Sequence, residues 1–293
     1  MAEDTERLAK SRSEKMKILH IGNTAGVGSV IAKYMDRMLG TESLVVTRRV
    51  SDPVGFTTYG ELWNSGPKMF TLRCLLIARK FNIVHIHYFD KIIPYLKLLY
   101  PRKRIVMHYH GDDIRNKWEL KSKYWRKADA VLYSTLDLKE IDTPRHAIHL
   151  PNPVDTETFH PCPKKPEPGT AFHLFYQANE LAQTYARENG LRLTIHDWRT
   201  EGRIPHRRLS EILCRYEYYI DARRGQDQAL LRVPLSKTAL EALACGLKVI
   251  TCSGSVVNKL PPENYPEEVA KRVFDIYLDL FNETGNRHQE SEV

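Results

Sequence analysis

The sequence contains no run of apolar residues near the ~20 that a membrane-spanning helix needs. Its opening, Met1-Ala-Glu-Asp-Thr-Glu-Arg7, has no apolar segment of the kind a secretory signal carries, so no targeting peptide is expected. Cysteine is sparse. Cys74, Cys162, Cys214, Cys245 and Cys252 are scattered with no Cys-x-x-Cys, which makes a reduced, cytoplasmic setting the simplest expectation. Two phosphate-cradling motifs are incomplete. A Gly-x-Gly-x-x-Gly counted from Gly26 meets Ile31 in place of its last glycine, and a P-loop counted from Gly22 meets Val27 and Gly28 where glycine and lysine are needed. Both gaps weigh against a nicotinamide or nucleoside-triphosphatase site. No nucleic-acid motif accompanies the basic charge, so nucleic acid is not an expected partner.

What is present is the composition of a globular protein. Of 293 residues, 42% are hydrophobic and 27% charged, and the length suits two domains of ordinary size. Lys and Arg number 44 against 36 Asp and Glu, a net charge of +8 that favours an anionic partner such as nucleotide phosphate or an acidic lipid surface. Residues 1–15 read as a polar tail.

Met16-Lys-Ile-Leu-His-Ile-Gly22 predicts a buried strand, Gly22 to Gly28 a glycine loop, and Ser29 to Leu39 a helix, a Rossmann-like opening. Further strands are predicted at Ser43–Thr47, Phe81–Tyr88, Arg104–His110, Ala130–Ser134 and Ala147–Leu150, with Arg48–Ser65 irregular and helices at Pro67–Lys80 and Ile92–Leu99. Apolar strands separated by helical patterns argue for a parallel sheet covered on both faces. Pro151, Pro153, Pro161, Pro163, Pro166 and Pro168 mark a stiff linker near 151–170. A second, shorter α/β domain follows, and Pro266–Phe281 reads as an amphipathic helix.

Four features bear on chemistry, each with a plainer alternative. His85, His87, His108 and His110 form two same-face pairs on strands, which suits either a metal site or histidines packed near strand ends; without supporting cysteines or carboxylates, no metal is expected. His110-Gly-Asp-Asp-Ile-Arg115 begins where a strand ends, the position at which α/β sheets place their chemistry, although His110 and Asp113 could equally tie down a turn. Asn116–Ala128 is basic with two tryptophans, which fits a helix on an anionic membrane surface or one packed in the core. Leu235-Ser-Lys-Thr-Ala-Leu-Glu-Ala-Leu-Ala-Cys-Gly246 predicts a helix capped by Ser236 and closed by Gly246. Its first turn, with Ser236, Lys237 and Thr238, is either an anion site or an ordinary capped start.

Glu241-Ala-Leu-Ala-Cys-Gly-Leu-Lys-Val-Ile250 resembles the donor-site helix of nucleotide-sugar-dependent glycosyltransferases of the GT-B fold, family 4, with a shortened C-terminal domain. His110-Gly-Asp-Asp113 resembles that family's His-Gly-x-Asp, and Pro151-Asn-Pro-Val-Asp155 its interdomain crossover. The resemblance implies two facing Rossmann-like domains with a cleft between them. Residues 16–150 would form the acceptor-side domain, 171–260 the donor-binding domain, and 264–282 a helix packing back on the first. It implies transfer of a sugar from a nucleotide-diphosphate sugar to a hydroxyl acceptor, lipid-linked or glycan, with retained configuration and no cofactor beyond the donor. Gly26 and Gly28 would line the cleft, and His110 and Asp113 would be the catalytic-site pair. Ser236, Lys237 and Thr238 would hold the diphosphate, and Glu241 the ribose. A second family glutamate is Val233 here, and the family's phosphate-binding cations are replaced by Gln177-Ala-Asn-Glu180. Arg223, Arg224 or Lys237 could substitute, or be solvated surface charge. The alternative reading is a degenerate GT-B chain that binds a nucleotide sugar or a partner protein without turnover.

Overall fold

The computed structural model describes residues 16–174, 178–223 and 235–289, so Gln177, Arg224 and Val233 lie outside the described residues. The chain divides into two compact units, one comprising residues up to Pro153 together with those from Pro266, the other Val154–Tyr265.

The first unit is built on seven parallel strands: β1 (Lys17–Ile21), β2 (Glu42–Arg48), β3 (Glu61–Trp63), β4 (Ile83–His87), β5 (Arg104–Tyr109), β6 (Ala130–Tyr133) and β7 (Ile148–His149). Their order is β3-β2-β1-β4-β5-β6-β7. The direction of winding therefore reverses between β1 and β4, as in a doubly wound Rossmann-like sheet. Because β4 and β6 are buried at every position, they read as unbroken apolar or aromatic runs rather than alternations. Helices α1 (Val27–Leu39), α2 (Pro67–Ala78), α3 (Ile93–Leu99) and the single turn α4 (Ser122–Trp125) supply cover.

Helix α1 shows why. Val27, Val30, Ile31, Tyr34 and Met35 recur at i, i+3, i+4, i+7 and i+8 and are all buried, and Gly40 ends the helix at φ 67°, a left-handed conformation open to glycine at no steric cost. They join Ile18, Ile83, Val106 and Leu132 in one core, which the terminal helix completes with Val269, Val273, Phe274 and Tyr277. The opposite sheet face packs Leu19, Ile21, Val84, Ile86 and Met107 against α2, α3 and the tryptophans Trp118 and Trp125.

Those tryptophans settle the basic stretch 116–128, which is a series of turns closed by α4 and not a continuous helix. Trp118 and Trp125 are buried, with their indole N–H groups donating to Leu138 O at 2.8 Å and Trp118 O at 2.7 Å. The apolar face that a membrane-surface helix needs is inside the protein. No helix among the described residues is long and apolar enough to cross a membrane.

The second unit carries β8 (Glu167–His173), α5 (Asn179–Glu188), β9 (Arg192–Ile195), α6 (Trp198–Glu201), α7 (His206–Leu213), β10 (Tyr216–Ile220), α8 (Lys237–Ala244), β11 (Lys248–Ile250) and β12 (Val256–Val257); the first unit's terminal helix is α9 (Pro266–Gln289). The sheet order is β12-β11-β10-β8-β9, parallel except for the β11–β12 pair. The fold class is thus α/β with two Rossmann-like units, as the pattern of apolar strands predicts. Strand β8 starts inside the proline-rich linker. Its register against β10 shifts between Tyr216 and Tyr218, and Pro168 falls in that irregularity, where no ladder hydrogen bond is lost.

Cys162 and Cys214, 52 residues apart, are joined by a disulfide, while Cys74, Cys245 and Cys252 are free. The expectation of uniformly reduced cysteines is corrected here, and cysteine usage no longer argues for a reducing compartment. Spacing alone cannot reveal such a pair. The linker brings Cys162 against the end of α8, where its N–H donates to Cys245 O at 3.2 Å, and Cys214 caps α7 beside it.

Alkylation of the denatured, unreduced chain should label three cysteines, rising to five after reduction; five labels at the outset would show the pair open. Ile31→Ala, at a fully buried site, should cost about 2–5 kcal/mol in urea unfolding. Leu98→Ala, at a residue 78% exposed, should change stability by about 0.5 kcal/mol or less.

Candidate functional site

All strands of the first sheet run the same way, so the loops that follow them gather at one edge, and α/β sheets bind ligands where the winding reverses. That place lies between the ends of β1 and β4. The β1 loop is tailored to it. Gly22 has φ 85°, and a Cβ there would sit 2.6 Å from His87 O, so only glycine fits. Gly28 approaches the His87 ring so closely that a Cβ would lie 3.0 Å from Nε2. Gly26, at φ 78°, faces Phe56 O. Asn23 ties the turn together: its Oδ1 accepts the Ser29 N–H at 3.0 Å, and its Nδ2 donates to Ser29 Oγ at 2.9 Å and Thr57 Oγ1 at 3.0 Å. The start of α1 is thereby partly satisfied by the protein's own side chain.

Beside this loop lies a cluster of five histidines. Parallel pairing sets His20 of β1 against His85 of β4, and His87 against His108 of β5. His110 follows β5 and completes the group. His85 and His87 stack with centroids 4.4 Å apart, and His108 and His110 pack at a tilt with centroids 4.1 Å apart. His20 Nδ1 lies 3.1 Å from His87 Nε2, and His87 Nδ1 3.0 Å from His110 Nε2. Ser134 Oγ bridges His110 Nδ1 at 2.8 Å and His108 Nε2 at 3.0 Å. His85 Nδ1 meets the Tyr277 hydroxyl at 2.6 Å. Burial holds His20 and His110 down at about 3, and it likewise pushes His85, His87 and His108 well below 6.5, with neighbouring rings adding to the effect. All five are neutral near pH 7.

His110 and Gly28, both expected at a site, are therefore brought together through His87. Asp113 lies on the same turn, and its carboxylate accepts the N–H groups of Gly111 at 2.7 Å and His110 at 3.1 Å; burial raises its pKa against those bonds. Sequence reasoning missed His20 and Tyr88. His20 sits in an apolar strand, and only register places it with the others. Tyr88, half-exposed at the end of β4, adopts φ 59°, and Ala25 on the β1 loop φ 49°. Left-handed non-glycine residues on both sides of the reversal point are the kind of strain that collects at functional sites.

The second unit reverses between β8 and β10, and α8 starts at that same edge. Ser236 caps α8, its Oγ accepting the Ala239 N–H at 3.0 Å, and its own N–H donates to Asp221 Oδ2 at 2.8 Å. Arg223 Nε lies 3.0 Å from Asp221 Oδ1. Thr238 is half-buried on the first turn. Glu241 points inward, 1% exposed, with its Oε1 2.9 Å from His206 Nε2 and 3.6 Å from Lys237 Nζ. Burial lowers the Lys237 pKa, opposed by the Glu241 carboxylate. Ser236, Lys237, Glu241 and Arg223 are thus assembled around two buried carboxylates; Arg224 lies outside the described residues.

No protein-family model matches the chain, and no curated protein does. Among solved structures, the S. aureus MnaA–UDP co-structure is similar at 13% identity and TM-score 0.41, covering 89% of this chain and 88% of that one. The spinosyn forosaminyltransferase SpnP is similar at 12% and 0.44, covering 80% and 78%. The calicheamicin glycosyltransferase CalG4 is similar at 12% and 0.40, covering 87% and 88%. At such TM-scores these likenesses carry no argument, and the fold rests on the strand order and register above.

Glu241→Ala removes a carboxylate shared by His206 and Lys237 and should cost about 3–5 kcal/mol in urea unfolding, with Glu241→Gln costing less because it still accepts from His206. The buried histidines predict acid lability. The unfolded chain takes up protons near pH 6.5 that folded His20 and His110 refuse until about pH 3, so stability is complete above pH 6.5 and declines as pH falls toward 3. Urea midpoints at pH 7.5, 6 and 5 should fall in that order.

Proposed function

We propose that the chain is a glycosyltransferase that moves a sugar from a nucleotide-diphosphate sugar to a hydroxyl acceptor with retained configuration. The observation that carries this reading is the start of α8. It is an N-capped helix at the reversal edge of a parallel sheet, with Lys237 on its first turn and Arg223 just after the neighbouring strand. Its sequence, Glu241 to Ile250, is the stretch that resembles the family 4 donor helix.

Transfer breaks the bond from the anomeric carbon to the donor's terminal phosphate oxygen and makes one to the acceptor oxygen. The hydroxyl proton passes to the departing diphosphate. Negative charge grows on that leaving group, and a helix start with a nearby lysine is the preorganised device that stabilises it. Lys237 and Arg223 take the place of the cations absent from Gln177-Ala-Asn-Glu180. His110 is neutral and has both ring nitrogens bonded within the protein. In this reading it is a fixed wall beside the sugar and not a general base. Asp113 holds the turn that presents it. With Trp118 and Trp125 in the core, the stretch 116–128 gives no support to a lipid-linked acceptor.

Melting of the full chain with a panel of UDP- and GDP-sugars tests the reading. One donor class should raise Tm, with native-state stability growing by about 2.7 kcal/mol at a hundredfold excess over Kd. Lys237→Ala should shrink the shift, and adding acceptors should release nucleoside diphosphate. A flat response to every donor by folded protein would overturn the proposal, and binding without release would reduce it to a nucleotide-sugar-binding protein.

A further inference from the structure

The histidine cluster contains more nitrogen than its hydrogen bonds use. Within the cluster, three buried ring nitrogens have no partner among the described residues: His20 Nε2, His85 Nε2 and His108 Nδ1. Each such atom, shut away from water, carries the desolvation cost of an unmade hydrogen bond. Two of the three belong to one trio, His20, His85 and His87, whose members are all fully buried and can each offer a nitrogen within 4.8 Å of the others.

We propose that His20, His85 and His87 form a binding site for a late first-row transition-metal ion of the zinc class. This inference stands apart from the sugar-transfer reading and does not depend on it.

Three further observations support the site. The first is orientation. His85 is fixed by its Nδ1 contact with Tyr277, an outer partner that ligation would leave in place, and the Nε2 atoms of both His85 and His20 have no partner among the described residues. Metal-ligating histidines characteristically donate their other ring N–H to such an outer partner. The second is protonation. Burial keeps these rings neutral, and neutral imidazole is the ligating form. The third is donor type. The trio offers imidazole without thiolate or carboxylate, which suits zinc, copper or nickel and not magnesium, calcium or manganese.

A second trio, His87, His108 and His110, meets the same distance limit, but it holds one unpartnered nitrogen, His108 Nδ1, against two in the first trio, where only His87 has both nitrogens engaged. The first trio is therefore the better-prepared set. A tetrahedral ion at about 2.05 Å sets its nitrogens about 3.4 Å apart, so binding would draw the rings inward and replace the His20–His87 contact. Because Tyr277 lies on α9, closing of that helix over the sheet would seal the ion in, and metal binding would be linked to folding of the first unit.

The test uses the full chain free of added histidines, stripped with chelator under mild denaturant, refolded with Zn2+ and then gel-filtered. One zinc per chain by atomic emission, with a higher Tm than the metal-free protein, is the expected result. Co2+ in its place should give visible absorption bands of a low-coordinate nitrogen site. His20→Gln and His85→Gln should each lose the ion, while His196→Gln in the second unit should keep it. Tyr277→Phe, which removes only the outer oxygen, should weaken affinity by about 10–100-fold and guards against loss by misfolding. No uptake by folded wild-type chain, or equal uptake by the wild type and both ligand variants, would overturn the proposal. Loss on His108→Gln with retention in His20→Gln would also overturn it.

Discussion

Parallel strand pairing is the constraint from which the rest of the first unit follows. A parallel strand cannot return through a tight turn, so every link between neighbours passes over a face of the sheet and brings cover with it. Both faces are therefore dry, which is why β4 and β6 have no exposed position. The same constraint makes every strand end at one edge. Anything polar in the last turns of β1, β4 and β5 must find its partners inside the protein, because α1 and α9 close over that face.

Histidine is the polar residue that can accept those terms. As a neutral ring it stacks, donates once and accepts once, and burial enforces that neutrality. A carboxylate or lysine at the same positions would need a charged partner at the same depth. The consequence is a chain of ring-to-ring contacts from His20 through His87 to His110 and on to Ser134, in which the tautomer of one ring fixes that of the next. The glycine loop is shaped around that chain: Gly22 and Gly28 have no side chain because His87 occupies the space one would need.

The second unit solves a different problem with the same architecture. Its sheet edge gathers charges and not neutral rings. Asp221 and Glu241 are buried, and each is held by a cation and by either a backbone N–H or a histidine, which is the condition under which buried carboxylates are tolerated. The first turn of α8 is consequently held from two sides, its cap through Asp221 to Arg223 and its lysine through Glu241 to His206. In the sugar-transfer reading proposed above, this cation-flanked helix start is where the leaving diphosphate would be held.

The sequence by itself determined the class of this protein. Apolar strands alternating with helical periods argue for a covered parallel sheet, and Ser236 as a cap is a local signal that needs no tertiary context, whereas the helix expected from Ser29 in fact starts at Val27. It also marked His85 with His87 and His108 with His110 as two same-face pairs, because spacing along a strand is a local property, while the β4–β5 register joined them into one group. Tertiary structure decided the rest. Register alone set His20 beside His85, and only chain closure brought Tyr277 to the same ring from 192 residues away. Pairing of Cys162 with Cys214, and burial of Trp118 and Trp125 under a stretch that reads equally well as a surface helix, were likewise settled by packing. The physical reason is common to all of them. Periodicity and capping are energies of neighbouring residues, whereas register, closure and the choice of which apolar face is covered are set by the sum of contacts over the whole sheet, and no single segment contains that sum.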